Sequence, residues 1–295
     1  MRAISTSKPD HVSISPGTSM GTVRLTVSDV DRSRAFYERA LGLRTTERDD
    51  GTVLLGADAG TALVELRGDA AAPSLDPRAP GLFHLAILLP SRTELAVALA
   101  RLVQVRIPLT GASDHLVSEA LYLSDPDGNG IEIYRDRPRE EWPARDGVLQ
   151  MATLPLDLDS VIAEIRERAE LPGTAPEGTR VGHVHVQVSD LDEAEHFYSD
   201  VLGFDVMVRG YPGALFVSAG GYHHHLGLNT WNSAGSSPAA PGAIGLRSFE
   251  IVLPTAAELD HVLGRVRAAG IEAEESPGGS LVRDPFGNGV LLRSR

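Results

Sequence analysis

The chain has 295 residues, 42% hydrophobic and 23% charged, which is ample material for a core and excludes global disorder. Its 40 acidic and 27 basic residues leave a formal charge of −13, so a nucleic-acid partner is not expected. Cysteine is absent, which removes disulfides, thiolate nucleophiles and iron–sulfur clusters; a bound metal must be held by His, Asp or Glu.

Residues 22–27 (TVRLTV) alternate as a half-buried strand does. Ser28 and Asp29 offer helix-cap chemistry before an amphipathic stretch that ends near Leu41-Gly42. Strands are expected at 53–56 and 62–66, then at 83–89, with a helix near 92–103. A strand near 119–123 runs into the DPDGNG turn and a strand at 131–134. The segment 137–178 carries Pro138, Pro143, Pro155, Pro172 and Pro176, and a short amphipathic helix is expected within 157–169. It reads as an ordered linker.

The chain then repeats itself. Val27-Ser28-Asp29-Val30, Phe36-Tyr37 and Leu41-Gly42 return as Val188-Ser189-Asp190-Leu191, Phe197-Tyr198 and Leu202-Gly203. Asp125-Pro126-Asp127-Gly128-Asn129-Gly130 returns as Asp284-Pro285-Phe286-Gly287-Asn288-Gly289. Four strand–helix–strands units result: modules one (20–67), two (80–136), three (179–230) and four (245–294). Length alone, at roughly 100–200 residues per domain, agrees with a pair of domains. They are expected at 18–137 and 179–295, with 138–178 between them. The opening MRAISTSKPDHVSISPG has no apolar core of a secretory signal, and no apolar run nears the roughly 18 residues of a membrane span. A cytoplasmic protein with no membrane partner is expected.

The repeated SD…FY…LG signature and the DPxGNG turn with its following strand resemble the vicinal-oxygen-chelate superfamily of glyoxalase I, fosfomycin and bleomycin resistance proteins and type I extradiol dioxygenases. The resemblance implies an α+β fold of four βαβββ modules, paired into open barrels around a metal. With DHLVSEALYLSDPDGNGIEIY and GGYHHHLGLN, the long two-domain form looks most like bacterial catechol 2,3-dioxygenases.

The resemblance also implies where a metal would be held. The first ligand position lies seven residues before the Asp of the SD motif. It is filled by His183 in module three and by Thr22 in module one. The second is His84 in module two and Ser248 in module four. The third, after the DPxG turn, is Glu132 in module two and Leu291 in module four. Neither half has a full set. Module two is therefore expected to pair with module three, within or between chains. That pairing gives His84, Glu132 and His183, a 2-His-1-carboxylate set suited to non-haem Fe(II), with Mn(II) as the alternative. A carboxylate between Ile131 and Ile133 is costly unless coordinated or paired. Module one would pair with module four around an empty position. His185 and Glu250 match no family ligand position, but with His183 they could build a rival site inside the second half.

The same resemblance implies an active-site acid–base among His223, His224 and His225, with His224 favoured by register. It implies a substrate-contacting Tyr122, though a strand tyrosine is also ordinary core, and a substrate-contacting His115. Phe36, Tyr37, Phe197 and Tyr198 read as residues that fix helices to sheets. The implied activity is extradiol cleavage of a catecholic or hydroquinone substrate with O2, in the manner of aromatic catabolism, and an oligomer is common among relatives. Rival readings are a glyoxalase-like isomerase or transferase and a drug-binding resistance protein. Glyoxalases supply a fourth ligand, a Glu on the last strand of the first module of a pair. Gly227 holds that place in module three and Glu65 in module one.

Overall fold

A computed structural model describes residues 11–47, 51–58, 60–167 and 170–295. The first module runs β1 (Ser19–Val27), α1 (Val30–Leu41), β2 (Arg44–Glu47), β3 (Thr52–Gly56) and β4 (Val64–Gly68). The second runs β5 (Gly81–Leu88), α2 (Arg92–Gln104), β6 (Gly111–Asp114), β7 (Ser118–Ser124) and β8 (Gly130–Asp136). The joining segment holds β9 (Ala144–Arg145), β10 (Val148–Leu149), β11 (Leu154–Pro155) and α3 (Leu158–Ala163). The third module has β12 (Arg180–Gln187), α4 (Leu191–Glu195) with a π-helical turn over His196–Val201, β13 (Asp205–Tyr211), β14 (Ala214–Ser218) and β15 (Leu226–Asn229). The fourth has β16 (Gly245–Leu253), α5 (Ala256–Ala268), β17 (Glu274–Ser276), β18 (Gly279–Arg283) and β19 (Gly289–Ser294). The fold is the expected α+β set of four βαβββ modules. The helix expected within 157–169 is shorter, α3, and residues 168 and 169 lie outside the described residues.

The helices start where the side chains dictate. Asp29 accepts from Arg32 N, and Asp190 accepts from the backbone of Asp192 and Glu193. Helix α1 stops at Gly42, whose φ of 69° is open to a residue without Cβ. Arg101 on α2 donates to Leu41 O at that helix end, and Arg265 on α5 donates to Val201 O and Leu202 O at the matching end in module three. Each arginine satisfies carbonyls that a helix end leaves orphaned.

The modules pair across the halves. One sheet has the order β17-β18-β19-β16-β1-β4-β3-β2, joining module four to module one. The other has the order β11-β6-β7-β8-β5-β12-β15-β14-β13, joining module two to module three, with the linker strand β11 at one edge. Strand β12 lies antiparallel to β5 and strand β1 antiparallel to β16. Both seams step out of register at equivalent places. Gly182 and Phe83 are extra residues in the first seam, and Arg247 is the counterpart of Phe83 in the second. A Cβ on Gly182 would lie 1.9 Å from Tyr134 Oη, so only glycine permits that approach. Along β5, Leu85 and Ile87 enter the main core with the helices, while Ala86 and Leu88 turn to the opposite face with Ala120 and Tyr134. That second face carries the candidate site. Among the described residues no helix is long and apolar enough to cross a membrane.

Candidate active site

Pairing β5 with β12 brings His84 and His183 to one place, and the β5–β8 ladder adds Glu132. His84 Nε2 and His183 Nε2 lie 2.9 and 3.0 Å from the same Glu132 oxygen. Among the described residues this is one group whose metal-ligating atoms all fall within 4.8 Å of one another, and all three side chains are buried. His84 Nε2 is buried and makes no hydrogen bond despite its closeness to Glu132. Burial alone would raise the Glu132 carboxyl, but His183 and His84 outweigh it and hold it well below the usual carboxylate range. Burial lowers His183 to about 4 against the opposing pull of Glu132. Two imidazoles, one carboxylate and a buried nitrogen without a hydrogen-bond partner fit a divalent metal ion.

The triple histidine separates into three environments. His225 Nδ1 is engaged by Ser218 Oγ at 2.9 Å and accepts from Ala219 N at 3.1 Å. His223 Nε2 lies 2.8 Å from Asp136 Oδ1, and its Nδ1 lies 2.8 Å from His224 Nδ1. His224 lines the cavity, with its ring centroid 4.1 Å from that of His183. The Asp136 carboxylate can only accept, and that orients the pair. His223 Nε2–H donates to the carboxylate, His223 Nδ1 accepts from His224 Nδ1–H, and His224 Nε2 is left with a lone pair. Burial first, and then the neighbouring imidazoles of His183 and His223, push His224 well below the ordinary histidine range.

Tyr122 and His115 form a pair. His115 Nδ1 donates to Ala152 O at 2.7 Å, so its Nε2 accepts from Tyr122 Oη at 2.6 Å. Burial first, and then the charge of Glu132, raise the Tyr122 phenol well above its ordinary value, so it stays protonated. His84, Glu132, Tyr122, His115 and His224 all line one cavity of about 520 Å³.

The rival site inside the second half does not form. Glu250 lies in the other sheet, where it accepts from Arg24 at 2.6 Å and Arg293 at 2.9 Å. Glu65, also in that sheet, accepts from Arg24 at 3.1 Å and Arg247 at 3.3 Å. Arg24 faces Ser248 as His185 faces His84. In the second sheet a buried ion-pair cluster thus stands where the first has imidazoles. Tyr37 Oη meets Asp125 at 3.2 Å, and Tyr198 Oη donates to Asp284 at 2.9 Å, so each tyrosine is tied to a turn of the other sheet, where a tie to its own sheet was expected.

Two features, Phe83 and Asp136, escaped the sequence, and His185 was weighed only for a rival site. Phe83 reaches the cavity because the register step lets it and His84 face inward together, which no alternation rule predicts. His185 lines the cavity two residues after His183, a spacing that was visible. Asp136 was also accessible, since Glu132, Tyr134 and Asp136 share one strand face.

The profile of the Glyoxalase/Bleomycin resistance protein/Dioxygenase superfamily matches residues 11–133 and 180–292. The chain is 46% identical over 283 residues to a catechol-2,3-dioxygenase of Bacillus subtilis (strain 168), covering 95% of this chain and 98% of that one. A solved dioxygenase-like structure from Bacillus subtilis subsp. subtilis str. 168 superposes with a TM-score of 0.65 at 13% identity, over 96% of this chain and 86% of that one. Glyoxalase I from Zea mays superposes with a TM-score of 0.56 at 16% identity, over 94% of this chain and 92% of that one. The two structural likenesses speak to the fold.

Proposed function

The chain belongs to the Glyoxalase/Bleomycin resistance protein/Dioxygenase superfamily, and from that premise we propose that it is an extradiol dioxygenase, opening a catecholic ring beside its diol. The observation that carries this reading is the meeting of His84 and His183, one from each half, on Glu132. Gly227, where a glyoxalase would place a fourth ligand, has no side chain to offer, and Glu65 is in the other sheet.

His84, Glu132 and His183 would hold Fe(II), or Mn(II) with the same ligands. When bound, the metal supplies a template for diol and O2 and a route for electron density between them. The protein's own part is proton handling and orientation. His224 Nε2 takes a proton from a substrate hydroxyl, while Asp136 and His223 behind it fix its tautomer. Tyr122 is protonated, and rotation of its O–H from His115 toward a substrate oxygen stabilises charge there.

The test is oxygen uptake with catechol by protein reconstituted anaerobically with Fe(II), beside His84→Ala and His183→Ala. Uptake with a yellow product, cut by at least about 10²-fold in both variants, is expected. Loss in His183→Ala alone would place the centre inside the second half and overturn the reading.

A further inference from the structure

The cavity beside the three ligands is larger than a bare catechol needs. Its volume of about 520 Å³ falls within the roughly 300–1,000 Å³ of sites that enclose drug-sized molecules. Its walls differ in character. The diol-binding end carries His115, Tyr122 and His224. The other wall is aromatic: Phe83 lies edge-on to Trp231 at 5.1 Å and to His185 at 5.0 Å, and Phe216 packs edge-on to Tyr211 at 5.8 Å.

Trp231 is 44% exposed, one of few large apolar side chains left open among the described residues. It is nonetheless held in place. Its Nε1 donates to Pro212 O at 2.8 Å. A fixed, exposed indole at the edge of a cavity is a surface prepared for an apolar group.

Charge is the second observation. Among the described residues no lysine or arginine lines the cavity, and Glu132 is its one carboxylate. An anionic substituent packed on the aromatic wall would lose its water and meet no lysine or arginine there. The duplication supplies an internal contrast. At the counterpart of Phe83 the second sheet carries Arg247, paired with Glu65. The same bulge can therefore present a guanidinium, and at this site it presents a phenyl ring.

We propose that this cavity selects an uncharged diol bearing an apolar ring substituent, which packs on Phe83 and Trp231, and rejects diols whose substituent is a carboxylate. The proposal rests on the ring-cleavage reading above.

The experiment compares catechol, 4-ethylcatechol and 3,4-dihydroxybenzoate on the full Fe(II)-loaded chain. Turnover is read in air, and binding is read by calorimetric titration under nitrogen. The expected kcat/KM for 4-ethylcatechol is about tenfold above catechol or more, in line with the worth of buried methylenes. That for 3,4-dihydroxybenzoate is expected to be at least about a hundredfold below catechol, with binding in the same order. Trp231→Ala should bring the ethylcatechol-to-catechol ratio down toward one. Trp231→Arg should raise the relative use of the carboxylated diol by about tenfold. Equal or better use of 3,4-dihydroxybenzoate by the natural chain overturns the proposal. So does an unchanged ethylcatechol-to-catechol ratio in Trp231→Ala. If no diol is consumed, the ring-cleavage reading falls; binding then decides the selection alone, with tighter ethylcatechol supporting it and equal binding overturning it.

Discussion

Gly227 has no side chain, and that decides where His185 can lie. A Cβ there would come within 2.7 Å of the His185 ring, so the imidazole occupies the room that a side chain at 227 would need. Gly227→Ala should therefore cost about 1–3 kcal/mol through overpacking, read as a lower midpoint in thermal unfolding. Asp136→Asn tests the tautomer argument. The amide can turn its NH2 toward His223 and reverse both tautomers, so kcat should fall by about 10²-fold while KM moves little. A purely structural role for Asp136 would instead lower the unfolding midpoint and leave kcat alone. The candidate ligand residues were legible because they sit at motif positions whose copies elsewhere are Thr22, Ser248 and Leu291. The choice of His224 was soft in sequence. Three adjacent histidines look alike until the backbone directs His225 to Ser218 and His223 to Asp136.

The elements and their repeats were largely legible. Period-two and helical spacing located the main strands and helices of modules one and two, the turn sequences separated them, and the repeat carried the pattern to modules three and four. Short strands such as β2 and β6 and the register steps were not, because bulges depend on the partner strand rather than on the strand's own pattern. The ion-pair cluster around Glu250 also became visible only after pairing. It carries a pH prediction. Burial would raise the Glu250 carboxyl, but Arg293 and Arg24 outweigh it and hold it below its ordinary value. The unfolded chain then binds the proton more readily. The pair's contribution is present above the unfolded carboxylate value near 4.3 and is lost as pH falls through the lower folded value. Chemical denaturation across pH 3–7 should show this acid slope reduced in Glu250→Gln. The variant should also lose roughly 3 kcal/mol at neutral pH, since two arginines are left underpaired.

Two tyrosines tie the sheets to each other. Tyr37 belongs to module one and its partner Asp125 to module two; Tyr198 belongs to module three and Asp284 to module four. Each helix is thus fastened to a turn of the opposite sheet, and the seams β1–β16 and β5–β12 bind the halves along their length. The sequence pointed to this crossing only indirectly, through the scatter of ligand residues over modules two and three. A chain divided within the 138–178 segment tests it. Neither fragment alone should bind Fe(II) at a three-ligand site, whereas mixing the two should restore metal binding, followed by metal analysis after gel filtration. Binding by the second fragment alone would contradict the crossed pairing.

That crossing also governs how the protein comes into being. As the chain leaves the ribosome, the first half is made complete with β1 and β5 each lacking a neighbour on one side. The strand that covers β5 is finished only at Gln187, and the strand that covers β1 only at Leu253. Two bare hydrogen-bonding edges must stay unpaired, or be shielded, through much of synthesis, and unpaired edges invite association with other chains. Contacts this distant in sequence also slow folding. Nascent first halves on neighbouring ribosomes are thus open to capturing each other's second halves, and yield should depend more on the crowding of translation than it would for two self-contained domains.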